Sequence, residues 1–433
     1  METRHRLFAW NFSYFSAKVR AYLRYKQFNG ALEYEEIFAS QEIIQGYMIP
    51  ATGSNVVPQV QTPDGEWLQD SSEIIDLLES AHPEAPVIPG TPRQKLVSYL
   101  IELIADEWML PWGFWERWHY TQEGVEPNHE AFNAFQWGRM FNPEGSGSER
   151  LAAGRFVFDE MMKVNDPDNA LVGPFVGLPQ LGVTDKTEQA WTDSMHNILG
   201  LLEAHFDQHD YILGGQPTLA DFSLIGPLYP HLYKDPVPGF MMRTEFPMVS
   251  EWIERVNGST EAGSSSYREP RYKLEDGNLV RLVSTTLLPD DEIPDTLLPI
   301  IHVFFDEMWP MLKRNIHVVR QFIEQSTDGS LPGKSFHSSA EFRGDQSGEG
   351  ALTLEFNIGG VTERRMASPY QVWMLQRLAR TQPAAGTDDA NELKEFLQTF
   401  EDGTQLLDLD RLLGDCLIVK NYETLTAKKS GSE

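Results

Sequence analysis

Short polar side chains at the starts of two predicted helices are the residues of this sequence whose types and spacing could do chemistry. The stretch WNFSYFSAKVRAYLRYK (10–26) passes from apolar and aromatic residues into a helical pattern, and Asn11, Ser13, Tyr14 and Ser16 lie at the joint. Hydroxyl and amide groups at such a joint can be presented to a ligand. The same groups can also simply cap the helix, because a serine side chain accepts hydrogen bonds from the free N–H groups of the first turn.

A second polar pair, Asp70 and Ser71, opens the amphipathic stretch DSSEIIDLLESAHP (70–83). The free N–H groups and partial positive charge of a helix N-terminus can hold a carboxylate, and the Ser71 hydroxyl would add a hydrogen bond to it. The alternative is a plain N-cap, and both interpretations can hold at once.

Tryptophans recur every three or four positions at Trp108, Trp112, Trp115 and Trp118. On a helix the first three share one face. The alternative is packing in a core or a dimer interface, which is the more common role of such a stripe. Pro111 is expected to kink the helix within the stripe.

Two histidines four residues apart, His205 and His209, stand beside Asp207 and Asp210. This spacing can bind a metal, but no third ligand stands at motif spacing. We therefore expect a solvated helix end and no metal. Further along, Thr218 and Asp221 form a variant of the capping box and are expected to stabilise the fold without taking part in chemistry.

The composition excludes several classes of partner. The formal net charge is −29 over 433 residues, which would repel nucleic acid and anionic membranes. Cys416 is the one cysteine, so no intrachain disulfide and no CxxC motif can form. The N-terminal METRHRLFAW lacks the apolar core of a signal peptide, and we expect a cytoplasmic protein.

The first 85 residues predict the order β-α-β-irregular-β-β-α. Strands are expected at 6–10 and 32–39, and two more flank a turn at Pro63–Gly65. The pattern of residues from Phe15 onward and the stretch 70–83 predict the helices.

Beyond a Pro-rich linker at 83–94, helical patterns dominate to residue 258, and low-complexity residues 257–270 mark a boundary. The remaining segment predicts either one helix or two helices broken near Pro310, and a β-hairpin that turns at Gly359-Gly360. Further helices are expected at 369–380 and 390–400.

Four motifs in this order resemble the serine-type glutathione S-transferases. They are SYFSAKVR (13–20), VVP (56–58), QDSSEIIDLLE (69–79) and YILGGQPTLADFSLIGPLY (211–229). The resemblance covers the first 260 residues. It implies an α+β, mostly α, architecture with a thioredoxin-like glutathione-binding domain (1–86), an all-helical domain (90–260) and an additional α+β extension of unknown role (271–433).

The resemblance also implies roles for five residues. Ser13 would donate a hydrogen bond to the sulfur of glutathione, the co-substrate, and would not itself attack. Val57 would bind the cysteinyl backbone ahead of a cis bond to Pro58. Asp70 and Ser71 would hold the γ-glutamyl end.

The implied pocket for a second substrate includes Tyr14, Trp108, Trp112 and Trp115. No residue is identified for the glycine carboxylate, and Gln45 is only a guess. Relatives that exchange disulfides carry a cysteine where this chain has Ser13, so that chemistry is not expected here.

The expected activity is glutathione-dependent transfer to a hydrophobic, aromatic electrophile, by conjugation, ether or halide cleavage, or isomerisation. Such an enzyme would serve detoxification as a homodimer. The alternative is a non-catalytic scaffold or binding protein of the same fold that acts through the C-terminal extension.

Overall fold

The chain divides into two units, which are described separately. The computed structural model describes residues 4–162, 178–258, 271–282, 286–325, 329–331, 352–414, 417–422 and 424–428. Unit 1 comprises residues 1–106, 127–132 and 199–300, and unit 2 comprises residues 107–126, 133–198 and 301–433. Cys416 and most of the boundary segment 257–270 lie outside the described residues. The domain limits predicted from composition differ from these units and stay predictions.

The β-strands of the described ranges are, in chain order, β1 (His5–Ala9), β2 (Tyr34–Phe38), β3 (Gln59–Gln61), β4 (Trp67–Gln69), β5 (Arg271–Glu275), β6 (Asn278–Leu282), β7 (Ser330–Leu331), β8 (Thr353–Ile358), β9 (Val361–Met366), β10 (Leu417–Asn421) and β11 (Thr424–Lys428).

The α-helices of the same ranges are α1 (Tyr14–Phe28), α2 (Gln41–Ile43), α3 (Ile49–Thr52), α4 (Ser71–Ala81), α5 (Pro92–Leu103), α6 (Leu110–His119), α7 (Glu130–Phe141), α8 (Gly147–Met162), α9 (Glu188–Phe206), α10 (Leu219–Pro227), α11 (Pro236–Glu245), α12 (Pro247–Asn257), α13 (Leu298–Val303), α14 (Trp309–Gln325), α15 (Pro369–Arg380), α16 (Asp388–Leu397) and α17 (Leu409–Leu413). Two 3₁₀ turns span Asp295–Leu297 and Gly403–Asp408.

Unit 1 contains a four-stranded sheet of order β2-β1-β3-β4. β1 and β2 are parallel and joined through α1, whereas β3 is antiparallel to both of its neighbours. One face of β1 places Leu7 and Ala9 in the core, and α1 and α4 contribute Val19, Leu23 and Ile74, all fully buried. This is the thioredoxin-like domain expected from the sequence, and helices α9 to α12 confirm the predicted helical region that follows.

Prolines explain the π-helical turns of the described residues. A proline at position i has no N–H, and its ring clashes with the carbonyl of residue i−4, so the helix must widen just before it. Three of the turns precede a proline in this way: Ile44–Met48 with Pro50, Ile104–Trp108 with Pro111, and Phe304–Met308 with Pro310. The turn Leu228–Tyr233 instead contains its proline, Pro230. π-helical turns therefore lie where the sequence predicted a kink at Pro111 and a break near Pro310, and the helical segments around Pro310 follow one another without a gap.

Unit 2 contains the predicted β8–β9 hairpin, in which Ile358 pairs with Val361. Gly359 and Gly360 have φ values of 55° and 80°, which the tight turn requires and which glycine adopts without a steric penalty. The helices predicted around 369–380 and 390–400 are α15 and α16. Sequence patterns missed the three-stranded sheet of order β10-β11-β7.

Two features of unit 1 also differ from expectation. The segment predicted as irregular after β2 contains α2, a π-helical turn and α3, and the β5–β6 hairpin around Asp276-Gly277 was missed. No helix of the described residues is both long and apolar enough to cross a membrane.

Candidate functional site

The loop from β1 places Ser13 at the start of α1. Its backbone is extended (φ −90°, ψ 132°), and its Oγ accepts a hydrogen bond from the backbone N–H of Ser16 at 3.3 Å. Ser13 is therefore the N-cap of α1, and its side chain is half-buried. Among the hydrogen bonds of the described residues, none is donated by this hydroxyl, so its proton is available to a ligand.

The neighbouring hydroxyls are engaged in holding this loop. Tyr14 is 3% exposed and donates its hydroxyl to the backbone carbonyl of Ala105. Ser16 is fully buried, and its Oγ accepts from the backbone N–H of Trp10 at 3.3 Å. Ser13 is consequently better placed than either neighbour to donate outward.

A lysine that sequence reasoning missed reaches the same loop. Lys234 follows the π-helical turn Leu228–Tyr233, and its Nζ donates to the backbone carbonyl of Asn11 at 2.9 Å. Its positive charge thus lies at the loop that leads into Ser13. No local motif marks this residue, because the contact joins positions far apart in the chain.

The bond between Val57 and Pro58 is cis, as predicted. Val57 is half-buried, and no hydrogen bond of the described residues uses its backbone N–H or C=O. Gln59 supports this segment from within the fold: its Nε2 donates to the carbonyls of Ser54 (3.3 Å) and Val56 (2.9 Å). The backbone of Val57 is therefore held in place and available for pairing with an extended peptide.

Asp70 caps α4 in a conformation that few residues adopt, with φ 71°. Its Oδ1 accepts from the backbone N–H groups of Ser72 (3.0 Å) and Glu73 (3.2 Å). Ser71 is 1% exposed, and its Oγ has no partner among the described residues. The N-cap interpretation is confirmed for Asp70, and binding of a carboxylate by the unused Ser71 hydroxyl at the positive end of the helix stays a prediction.

Strand register brings these groups to one end of the sheet. Phe8 of β1 pairs with Gln59 of β3, and Gln59 pairs with Gln69 of β4. Ser13 follows the end of β1 and Ser71 follows the end of β4, while the cis-proline segment directly precedes β3. The hydroxyl-bearing residues Ser13 and Ser71 and the unused backbone of Val57 therefore lie at the same end of the sheet, next to the paired residues Phe8, Gln59 and Gln69.

A buried charge cluster anchors the start of α4. Lys18 Nζ lies 2.8 Å from Glu102 Oε1, 2.6 Å from Asp106 Oδ2 and 3.1 Å from Ser72 Oγ. Burial alone would lower the pKa of Lys18, but Asp106 and Glu102 outweigh burial and raise it. Sequence reasoning missed this cluster, which ties α1 and α5 to the residue beside Ser71.

Most side chains of the predicted tryptophan stripe are buried inside unit 2. Trp108 and Trp112 are fully buried; Trp108 contacts Trp191 with ring centroids 4.7 Å apart, and Trp112 contacts His196. Trp115 is half-buried and stacks on His119. The core alternative thus describes Trp108 and Trp112, and the pocket assignment of Tyr14 and the three tryptophans stays a prediction.

Glu307 shares a hydrogen-bond network with this stripe. Its Oε2 accepts from Trp108 Nε1 at 3.1 Å and from Ser194 Oγ at 2.6 Å. Burial raises the pKa of Glu307, although both hydrogen bonds act in the opposite direction. The side chain joins α9 to the π-helical turn before α14 inside unit 2.

The first of the two predicted non-catalytic motifs differs from expectation, because the sequence predicted a solvated helix end but His205 is fully buried. His205 contacts Thr296 Oγ1 through Nδ1 (2.8 Å) and the Tyr211 carbonyl through Nε2 (3.2 Å), so both ring nitrogens are engaged within the protein. No group of three metal-ligating side chains occurs in the ranges the structure describes. Burial lowers the pKa of His205 to about 4.

The predicted capping pair at the start of α10 is confirmed. Asp221 accepts from Thr218 N at 2.9 Å, from Ile212 N at 3.0 Å and from Trp252 Nε1 at 3.0 Å. Burial raises the pKa of Asp221 to about 6 against these donors. The carboxylate links the turn before α10 to α12.

Two family models match this chain. Residues 7–86 match the glutathione S-transferase N-terminal domain, and residues 185–255 match the glutathione S-transferase C-terminal domain. Residues beyond 255 are matched by neither domain, and a comparison with curated proteins found no match.

Solved glutathione S-transferase structures are similar to the chain at low identity. One from Rhodospirillum rubrum F11 is 16% identical, covers 67% of this chain and 96% of its own, and has a TM-score of 0.36. The β-etherase LigF from Sphingobium sp. strain SYK-6 is 16% identical, with coverages of 62% and 100% and a TM-score of 0.40. A glutathione S-transferase from Methylobacillus flagellatus with bound glutathione is 15% identical, with coverages of 61% and 98% and a TM-score of 0.36.

Proposed function

We propose that the protein is a glutathione-dependent transferase that activates the thiol of glutathione for attack on a hydrophobic, aromatic electrophile. The observation that carries the proposal is the row of unused hydrogen-bonding groups at one end of the unit 1 sheet. A γ-glutamyl-cysteinyl peptide offers a carboxylate, an extended backbone and a thiol, which match those groups in kind.

Each group has a defined role in this proposal. The Ser71 hydroxyl and the N-terminus of α4 hold the γ-glutamyl carboxylate. The backbone of Val57 pairs with the cysteinyl residue as an added strand does. The Ser13 hydroxyl donates to the sulfur and favours the thiolate, which is the nucleophile.

Positive potential near Ser13 supports the same step. The N-terminus of α1 carries partial positive charge, and Lys234 brings a full charge to the Asn11 carbonyl. Both favour an anionic sulfur over a neutral one. The Lys18 cluster acts at a distance from the sulfur, by fixing the start of α4.

The organisation proposed for the whole chain follows the sequence prediction. Residues 1–86 form the glutathione-binding domain, residues 90–260 the helical domain, and residues 271–433 an extension. We propose a homodimer that serves detoxification. Light scattering that gives a monomer mass would contradict the dimer.

Titration calorimetry with glutathione tests the binding site. Ser71→Ala should weaken glutathione binding by about tenfold, because a hydrogen bond to a charged group contributes roughly 1.5–3 kcal/mol and 1.4 kcal/mol is a factor of ten. Ser80→Ala is the matched control and should leave glutathione binding unchanged. Ser80 lies on the exposed side of the same helix, and among the described residues its hydroxyl donates only to the Asp76 carbonyl.

Activity toward a chlorinated arene completes the test. The wild type should bind glutathione and accelerate its conjugation. A wild type that neither binds glutathione nor reacts would refute the proposal in favour of a scaffold of the same fold. Binding without any conjugation would refute the catalytic part alone.

A further inference from the structure

The turn that leads into α1 carries a polar side chain that the proposed chemistry does not use. The Ser13 N–H donates to the Trp10 carbonyl at 3.1 Å and closes this turn. Asn11 and Phe12 therefore occupy its two central positions. Asn11 is half-buried, and no hydrogen bond of the described residues uses its carboxamide. The turn thus presents an amide group, which can both donate and accept, two residues ahead of Ser13.

Lys234 brings an ammonium group to the same turn. Its Nζ donates to the Asn11 carbonyl at 2.9 Å and lies 5.8 Å from the centroid of the Tyr229 ring. Because two residues span at most about 7 Å of extended chain, the bond to Asn11 holds this cation close to Ser13. A lysine ammonium can donate to three acceptors at once, so it can hold the carbonyl and a ligand together.

Aromatic rings border this turn and this lysine. The Phe12 ring is 1% exposed and contacts the Phe132 ring, with centroids 6.1 Å apart. The Tyr229 ring, beside Lys234, stacks on Tyr233 with centroids 6.4 Å apart. Phe132 and Tyr229 are half-buried, so each keeps ring surface on which an aromatic ligand can pack. All of these residues belong to unit 1.

We propose that Asn11 and Lys234 select an aromatic electrophile that carries a carboxylate, an inference that rests on the proposed function and narrows its substrate class. Lys234 Nζ and Asn11 Nδ2 are both donors, and a carboxylate offers two acceptor oxygens to them. The thiolate beside Ser13 attacks a halogen-bearing carbon of the ring. The carbon–sulfur bond forms, the carbon–halogen bond breaks, and the halide leaves with the bonding electrons.

This role of Lys234 at the substrate differs measurably from its effect on the sulfur. A cation that favours the thiolate raises the rate with every electrophile alike, because all of them react with the same nucleophile. A cation that binds a carboxylate raises the rate only for the acidic electrophile. The ratio of the rates with two substrates that differ in this one charge therefore isolates the second role.

Conjugation of a chlorodinitrobenzoate and of its methyl ester by the full chain measures that ratio. Each kcat/KM is divided by the uncatalysed rate of the same electrophile with glutathione, which removes their different intrinsic reactivities. Wild type should favour the carboxylate at least about tenfold, as expected for a hydrogen bond to a charged group. Lys234→Met should abolish this preference, and Lys234→Arg should keep most of it because the charge remains.

A second variant does not depend on the folding of Lys234→Met. Asn11→Ala removes a carboxamide that bonds nothing in the described protein, so the free energy of unfolding should stay that of wild type. The preference for the carboxylate should nevertheless fall severalfold, because one donor to it is lost. An Asn11→Ala variant with the full preference of wild type would remove Asn11 from the proposal.

Arg243→Met is the matched control for the loss of a cation. Arg243 of α11 is exposed, lies 4.9 Å from the centroid of the Tyr233 ring and donates to the Tyr233 carbonyl at 2.9 Å. No hydrogen bond of the described residues joins it to Asn11, so this variant should keep the preference for the carboxylate. Equal losses in Arg243→Met and Lys234→Met would show a diffuse electrostatic effect and overturn the inference.

The outcomes for the inference and for the proposed function are distinct. If wild type conjugates both electrophiles with equal normalised rates, the substrate class is wrong and the proposed function stands. If Lys234→Met loses rate equally with both, the lysine acts only on the sulfur or on the turn, and the inference is again overturned. A wild type that conjugates neither electrophile refutes the proposed function and this inference with it.

Discussion

Replacing Ser13 by alanine separates its two roles, the helix cap and the donor to sulfur. As a cap, Ser13 accepts one hydrogen bond from Ser16 N, and its loss should cost about 1 kcal/mol of stability. As a donor to a thiolate, it makes a charge-assisted bond that contributes roughly 1.5–3 kcal/mol. At 1.36 kcal/mol per pKa unit, the pKa of bound glutathione should rise by about 1–2 units.

The ultraviolet absorbance of the thiolate, followed against pH in the glutathione complex, measures this shift directly. A free thiol has a pKa of about 8.5, so an enzyme that lowers it to about 7 would lose about 5- to 50-fold of its thiolate, and hence of its rate, at pH 7 on substitution. Glutathione affinity should change little, because the γ-glutamyl and cysteinyl contacts remain.

Ser40→Ala is the matched control for the cap. Ser40 caps α2 in the same way, with Oγ accepting from Ile43 N at 3.3 Å. This variant should lose stability without moving the thiol pKa. If Ser13→Ala also loses stability while its thiol titrates as in wild type, Ser13 is a cap only and the catalytic reasoning is wrong.

Three further predictions concern stability, each measured by chemical denaturation. The pKa of His205 is lowered to about 4, so between about pH 4 and 6.5 this histidine is protonated in the unfolded chain but neutral in the folded protein. The free energy of unfolding should therefore rise with pH through this window. His205→Gln should flatten that rise more than the half-buried control His209→Gln. Gly182→Ala should lower the free energy of unfolding clearly more than Gly360→Ala. Both glycines have positive φ, but a Cβ at residue 182 would lie 2.5 Å from the Phe356 ring, whereas a Cβ at residue 360 would have none of its surrounding atoms within 4 Å. Lys18→Met should destabilise by about 3–5 kcal/mol, because it leaves two buried carboxylates without their cation; a variant as stable as wild type would refute this reasoning.

Local chemistry made much of unit 1 predictable. The alternation of β1 and β2 with α1 and the capping pair Thr218 and Asp221 depend on residues close together in the chain. The cis bond ahead of Pro58 was instead implied by the resemblance to a known family. The Gly359-Gly360 turn was predictable for the same reason, since backbone sterics act over two residues. Prolines likewise marked the helix interruptions, although not their π-helical form.

The sequence by itself therefore determined the thioredoxin-like order of elements and the candidate residues at helix starts. Only the tertiary structure decided which of those residues keep an unused donor: Tyr14 bonds a distant carbonyl, whereas Ser13 and Ser71 do not. It alone also revealed the buried cluster around Lys18 and the hydrogen bonds of Glu307. Desolvation and hydrogen-bond satisfaction depend on which atoms meet in space, and groups as far apart as Glu107 and Gln371 carry no shared pattern along the chain.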